Sequence, residues 1–406
     1  MQSCGSVFNV PALRFPEFSG EWVVNPLSKY AKKITEKNKG NRIKNVLCNS
    51  ATLGIVPQSE YFAREIANND NTGGYYVVKN QDFVYNPRKS VSAPYGPVNI
   101  YTGNEDGIIS PLYLCMKVNG IDKDYLLHYF KSPAWYPYIY QNGDSGVRHD
   151  RVSIKDEVFL AMPIGVPSGD EQRKIASFLD AINERIATQS KIIEELKILR
   201  SALSESLYCE CDSFQELSFN DVGECYSGLS GKSGEDFGSG YPYIPYTNIF
   251  ANDVIDENQF EYVQVREDES QNTVHYGDLL MTLSSETPEE VGIGSVYLGD
   301  KSHLYLNSFA FGIHITRTDL VYPPYLSWLV STKSFRKFIL PFAQGSTRYN
   351  LQKTDFMKAK YRFPTLERQK IISKILSSYS LKIANEEKNL DQYQIQKQGL
   401  LEQMFI

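Results

Sequence analysis

Cysteine is scarce: six in 406 residues, at positions 4, 48, 115, 209, 211 and 225. None has the paired spacing of a zinc ribbon or finger, and the close pair Cys209 and Cys211 reads as incidental thiols near a helix end. A disulfide framework is therefore not expected, and a reducing cytoplasm fits. No apolar run approaches the roughly 20 residues a membrane-spanning helix needs. The start, Met1-Gln2-Ser3-Cys4-Gly5, has neither the basic flank nor the apolar stretch of a secretory signal. Histidine is scarcer still, with five copies at 128, 149, 275, 303 and 314. They show no pairing that suggests a metal or an activated nucleophile, so no metal site is expected. Basic charge is also in deficit, with 42 Lys and Arg against 48 Asp and Glu and a net charge of −6. That counts against a chain that coats nucleic acid unaided, since phosphate contacts demand cations. What is plentiful is tyrosine, 28 copies in a chain that is 13% aromatic, and packing accounts for most of them. With 42% hydrophobic and 22% charged residues, the composition is that of a globular chain of two or three domains.

An internal repeat sets the architecture. Residues 167–207 and 364–404 carry one pattern displaced by 197 positions: Pro167 and Pro364, then Gln172 and Gln369, then a long helix. The apolar seam steps by four and three from Ile175 to Leu207 and again from Ile372 to Met404, the signature of a coiled coil. Both seams turn polar at the fifth and eighth places, Gln189 and Arg200 in one, Glu386 and Lys397 in the other. Antiparallel packing sets Arg200 against Glu386 and Gln189 against Lys397, fixing register at a cost in stability. The alternative is two amphipathic helices buried separately against globular domains.

The segments between echo each other more faintly. Gln81-Asp82-Phe83 matches Gly277-Asp278-Leu279, Asp124-Tyr125-Leu126 matches Pro324-Tyr325-Leu326, and Gly146-Val147-Arg148 matches Ser346-Thr347-Arg348. Short strands such as Tyr75-Tyr76-Val77-Val78 and Gly294-Ser295-Val296 alternate with turns, and helical patches fall near 123–131 and 324–340. The expected fold is α+β. Two similar mixed α/β globular domains are separated by two long helices that form an antiparallel coiled coil, with pseudo-twofold symmetry. The boundaries are 1–165 and 211–363 for the domains, 166–210 and 364–406 for the helices.

This layout resembles the specificity subunit of type I restriction-modification enzymes. Val10-Pro11-Ala12-Leu13-Arg14-Phe15-Pro16-Glu17-Phe18, with Trp22 after it, is similar to the family's lead-in. Phe83-Val84-Tyr85-Asn86-Pro87 and Ser110-Pro111-Leu112-Tyr113 resemble a first target-recognition domain. Gly345-Ser346-Thr347-Arg348, then Phe363-Pro364 and Glu367-Arg368-Gln369-Lys370-Ile371, resemble the end of a second one entering its spacer helix. The chain departs from the family where Val166-Pro167-Ser168-Gly169-Asp170 leads into the first helix, and where Gly146-Val147-Arg148 replaces Gly-Ser-Thr-Arg. The resemblance implies a non-catalytic subunit without its own cofactor, reading a bipartite site in double-stranded DNA. It implies two modification subunits that methylate adenine with S-adenosylmethionine, and two restriction subunits using ATP and Mg.

Two readers on a stiff strut suit that role. The seam from Ile175 to Leu207 spans roughly 48 Å at about 1.5 Å per residue, roughly 14 base pairs at about 3.4 Å each. Basic residues cluster at 29–44, including Lys32 and Lys33, and at 333–362. A chain acidic overall can still present a basic face to phosphates, though a solvated surface run explains either cluster as well. The residues chosen to meet DNA are Asn86, Arg88, Lys89 and Ser90 in the first domain, and Thr282, Ser284, Ser285 and Tyr349 in the second. Arg148 and Arg348 are chosen as phosphate or duplex-positioning contacts. Gly231-Lys232-Ser233 lacks the upstream glycine of a phosphate-binding loop, and residues 228–240 read as a flexible loop. Tyr322-Pro323-Pro324-Tyr325 lacks the Asn or Asp of an amino-methyltransferase motif and reads as a bend before a helix. Two alternatives stay open, a specificity module of another methyltransferase or restriction class and a coiled-coil assembly scaffold.

Overall fold

The computed structural model describes residues 9–61, 72–143 and 150–406. The chain divides into two compact units, residues 1–189 with 389–406, and residues 190–388. These units cut across the sequence boundaries because each takes a stretch of both long helices, Gly169–Cys209 and Leu366–Gln403.

Unit one is built on a four-stranded antiparallel sheet ordered Ala31–Lys33, Leu114–Val118, Phe83–Tyr85, Val98–Ile100. Unit two repeats that order with Gly223–Ser227, Ala310–Ile315, Leu279–Thr282 and Gly294–Val296. The register repeats too: Phe83 lies between Ile100 and Met116, and Leu279 lies between Val296 and Ile313. Helices follow in the same sequence, Lys123–Lys131, Tyr136–Asn142 and Asp156–Leu160 in one unit, Pro323–Leu329, Lys333–Ile339 and Lys353–Lys358 in the other. Phe159 stacks on Tyr85 at 4.4 Å, and Phe356, 197 residues on, stacks on Phe219 at 5.0 Å. The bend at Tyr322 is as expected, with Pro323 opening its helix where a missing N–H costs nothing. The 228–240 region is a correction: it contains a short 3-10 turn at Gly234–Asp236 and the start of the strand Phe237–Ile244. Its Lys232 is tied to Glu269 rather than offered to a phosphate.

Each unit delivers its long helix in the same way. A two-stranded ribbon, Val23–Pro26 with Pro163–Val166 or Phe214–Ser218 with Lys360–Pro364, ends at the helix start. Ser168 and Thr365 cap the first turn through their hydroxyls. Gln172 then donates to the Pro167 carbonyl at 2.8 Å and accepts from the Asp122 backbone N–H at 2.8 Å. Gln369 donates to Pro364 at 2.8 Å and to Leu320 at 3.0 Å, and accepts from Tyr322 at 2.8 Å. Beside Gln172, the buried Glu171 carboxylate is clamped by Arg14 at 2.7 and 2.8 Å and by the Trp22 indole at 3.2 Å. The lead-in segment is thereby docked on the first helix, and its Leu13 N–H reaches the Gln403 carbonyl at 2.9 Å.

Within each unit the two helix stretches run antiparallel. In unit one, Arg185 donates to the Tyr393 hydroxyl at 2.7 Å, while Ile175 and Leu179 share a core with Leu401, Met404 and Phe405. In unit two, Lys197 meets Glu387 at 2.8 Å, Arg200 meets Ser380 at 2.8 Å, and Leu207 shares a core with Ile372 and Leu376. The fold is thus the expected α+β arrangement of two similar domains with an antiparallel coiled coil.

Replacing Gln172 or Gln369 by Ala strips partners from buried backbone groups, which costs about 1–3 kcal/mol. Equilibrium urea unfolding of each variant should show that loss. A change below about 0.5 kcal/mol, the size of an ordinary surface substitution, would deny the locking role.

Candidate nucleic-acid interface

In unit two the strand Leu279–Thr282 runs on into Ser284–Ser285, which pairs with Tyr349–Leu351. The neighbouring strand Ala343–Gln344 closes a hairpin whose tip is Gly345-Ser346-Thr347-Arg348. Gly345 is required there, because a Cβ would collide with the Arg348 carbonyl. Arg348 projects from the tip with its Nε 3.3 Å from the Ser284 hydroxyl and its guanidinium 5.6 Å from the centre of the Phe309 ring. Tyr246 donates to the Ser284 carbonyl at 3.0 Å and stacks near Phe250. These groups, with Ser285, Glu286 and Glu290, line an open cavity of about 890 Å³. Ser285 is oriented by a 2.7 Å bond to Glu290. Arg336 secures the floor segment by donating to the carbonyls of Glu289, Val291 and Gly292 at 2.6–2.7 Å. Burial lowers its pKa, and it serves the fold rather than the surface.

Unit one has the same construction at the same end of its sheet. Beyond Phe83–Tyr85 the chain reaches Arg88, which bridges to Arg151, while the Lys89 N–H bonds to the Asp150 carbonyl at 2.8 Å. Lys89 lines a second depression of about 490 Å³ with Pro94, Tyr95 and Tyr140. Leu53 and Leu112 stand exposed, each 197 residues before the exposed Phe250 and Phe309.

Of the selected residues, Arg88, Ser90 and Arg348 are exposed, with Lys89, Ser285 and Tyr349 partly so. Asn86 and Thr282 are corrections. The Asn86 amide donates to the Asn49 carbonyl at 2.9 Å and accepts from the Arg88 N–H at 3.0 Å. Thr282 is 0% exposed, and its hydroxyl accepts from the Ile293 N–H at 3.0 Å. Both fix the loop instead of reaching out of it. Ser284, 5% exposed, presents little more than its bond to Arg348.

Arg148 lies outside the described residues. Equivalent backbone bonds, Val152 N–H to the Pro87 carbonyl and Leu351 N–H to the Leu283 carbonyl, set Arg151 at the place of Asn350. The residues missed were Tyr246, Phe250 and Phe309, which line or flank the cavity beside Arg348. In the basic run at 29–44, Lys32 and Lys33 are exposed on Ala31–Lys33, with Lys33 held 2.5 Å from Asp156. Of the polar seam residues, Arg200 bonds to Asp253 at 3.0 Å and lies over Trp328, so its bonded carboxylate belongs to a globular domain. Gln189 is buried and Glu386 half-buried, and burial lowers the pKa of Lys397. The expectation of unpaired histidines is corrected as well. His275 and His314 meet around Asp278, because residues remote in sequence are adjacent across the sheet.

Each unit is thus an α+β domain with an exposed loop cluster and a stretch of both long helices. Residues 212–393 match the family described as type I restriction modification DNA specificity domain. The family match is thus to a specificity domain within residues 212–393 of the chain. A solved chain reported under complex assembly and conformational transition of the type I R-M system is similar at TM-score 0.61 and 12% identity, covering 94% of this chain and 96% of that one. The HsdS subunit from Thermoanaerobacter tengcongensis is similar at TM-score 0.47 and 14% identity, covering 94% and 95%. The S subunit from M. genitalium is similar at TM-score 0.47 and 13% identity, covering 98% and 99%. No curated protein sequence matches the chain. Among the described residues, no helix is long and apolar enough to cross a membrane.

Arg348→Ala should weaken duplex binding at every sequence and reduce the salt slope of log affinity by about 1, as for one lost phosphate contact. Fluorescence anisotropy across a salt series checks this. An unchanged slope would remove Arg348 from the interface.

Proposed function

We propose that this chain is the non-catalytic address of a cytoplasmic methyltransferase and restriction complex, each unit reading one half of a bipartite DNA site. The observation that carries this is the matching of two exposed loop ends: Leu53 and Leu112 in one unit, Phe250 and Phe309 in the other, each pair 197 residues apart, with Arg88 and Arg348 exposed in those loop regions. A guanidinium can position a phosphate or grip guanine, and apolar side chains can meet the thymine methyl. In unit two, Ser285 and the exposed Glu286 add an acceptor set suited to the amino groups of cytosine or adenine. Methyl transfer with S-adenosylmethionine, and translocation and cleavage with ATP and Mg, fall to the partners. The acidic balance favours weak DNA binding by the isolated chain, with modification subunits completing a positive clamp.

Support for two copies of one partner comes from the helices. Ile198 and Ile395, again 197 apart and one in each unit, are 67% and 71% exposed. Large apolar side chains left in water at equivalent places suit two copies of one docking partner.

Mapping methylated adenines in a host carrying the chain with its partners should give a split motif with an unread gap. Exchanging the loop residues Ser285 and Glu286 should change one half of that motif and leave the other. Methylation without a split motif would overturn the two-reader proposal, and favour the scaffold. Separately, Ile198→Asp and Ile395→Asp should each reduce bound modification subunits from two to one, as read by native mass spectrometry. Full occupancy in both variants would place the docking surface elsewhere.

A further inference from the structure

Unit two contains a cluster at the far end of the sheet strands from the recognition loop. Asp278 immediately precedes the strand Leu279–Thr282, whose other end leads to Ser284 and Ser285. His275 lies three residues before Asp278, and His314 sits on the adjacent strand Ala310–Ile315. The Asp278 side chain is fully buried, whereas His275 is exposed and His314 about half so. One Asp278 oxygen lies 2.7 Å from His314 Nδ1. The other accepts the Tyr226 hydroxyl at 2.6 Å and the His275 backbone N–H at 2.9 Å. Tyr226 can lie there because its ring covers Gly312, where any Cβ would strike it. Ligand atoms of His275, Asp278 and His314 all fall within 4.8 Å of one another.

We propose that His275, Asp278 and His314 form a binding site for one divalent transition-metal ion. Two imidazoles and a carboxylate favour Zn²⁺, Ni²⁺, Co²⁺ or Cu²⁺ over Mg²⁺ and Ca²⁺, which take oxygen ligands. Three protein ligands leave one or more positions for water, and exposed His275 supplies the entry path. With bonds of about 2.0–2.2 Å, the His314–Asp278 pair, now 2.7 Å apart, opens slightly while His275 moves in, a movement open to a surface imidazole. Tyr226 and the His275 N–H supply the outer hydrogen bonds that hold a ligating carboxylate.

The first unit provides the internal contrast. At the corresponding places stand Lys79, Asp82 and Lys117, displaced by 196, 196 and 197 residues. Asp82 closes the same turn by accepting the Lys79 N–H at 2.8 Å. Lys79 and Lys117 bring opposite charge to that carboxylate. Lysine ammonium groups neutralise but do not ligate, so the buried Asp and its turn belong to the fold, and the two histidines are what unit two adds. An ion there ties the 275–278 turn to the adjacent strand and stabilises unit two without touching the recognition cavity.

The test uses the untagged full chain, stripped with chelator and titrated with Co²⁺ and with Ni²⁺ by absorption and calorimetry. One equivalent is expected to bind and raise the melting temperature. His275→Gln and His314→Gln should each weaken affinity at least about tenfold, the scale of loss at metal sites, and remove the thermal shift while the metal-free fold persists by circular dichroism. The parent chain failing to bind saturably would overturn the site. So would a stoichiometry that survives both His variants, or one lost in Cys209→Ser with Cys211→Ser instead.

Discussion

Gln172 and Gln369 each stand five residues after the proline at the ribbon's end, Pro167 or Pro364, and use both ends of one amide inside the protein. The carbonyl oxygen takes a backbone N–H from the loop before the first domain helix, and the amide nitrogen returns to the carbonyl of the proline that ends the ribbon. A buried backbone group without a partner is expensive, so the long helix can start only where loop, ribbon and helix meet at that amide. Helix direction, and with it the face each seam presents, follows from this junction. Glu171 reinforces it in unit one by binding Arg14 and Trp22, whereas the corresponding Arg368 takes no such clamp.

A second constraint is the shared register of the two sheets. Phe83 and Leu279 are central residues with equivalent neighbours on both sides. A slip of one residue would turn every side chain to the opposite face. Because the register is the same, loops leaving the same strand ends arrive at matching places. The loops then diverge: unit one carries Arg88, Lys89 and exposed aliphatic residues, while unit two carries serines, carboxylates and exposed phenylalanines. A fixed frame with different loops is how one duplicated fold can present two different recognition surfaces.

The polar groups divide into those that hold the frame and those left at its edge. Asn86, Thr282 and Arg336 all lie close to the loop clusters in sequence or space, yet each is bonded to backbone and withdrawn from solvent. Arg348, Arg88 and Ser90 remain exposed. Hydrogen-bonding capacity in a side chain does not separate the two groups. The burial of its neighbours does.

The repeat at 197 residues, the long helices with their proline and glutamine entry, and the alternation of short strands and helices were all legible in the sequence. Each depends on spacing along the chain, and spacing is set by helical and strand periods. The tertiary structure alone decided that Asn86 and Thr282 face inward, that Arg200 bonds to Asp253, and that His275 and His314 converge on Asp278. Those outcomes join residues many positions apart through strand pairing and burial. Pairing and burial are fixed only when the whole domain packs, and no local period records them.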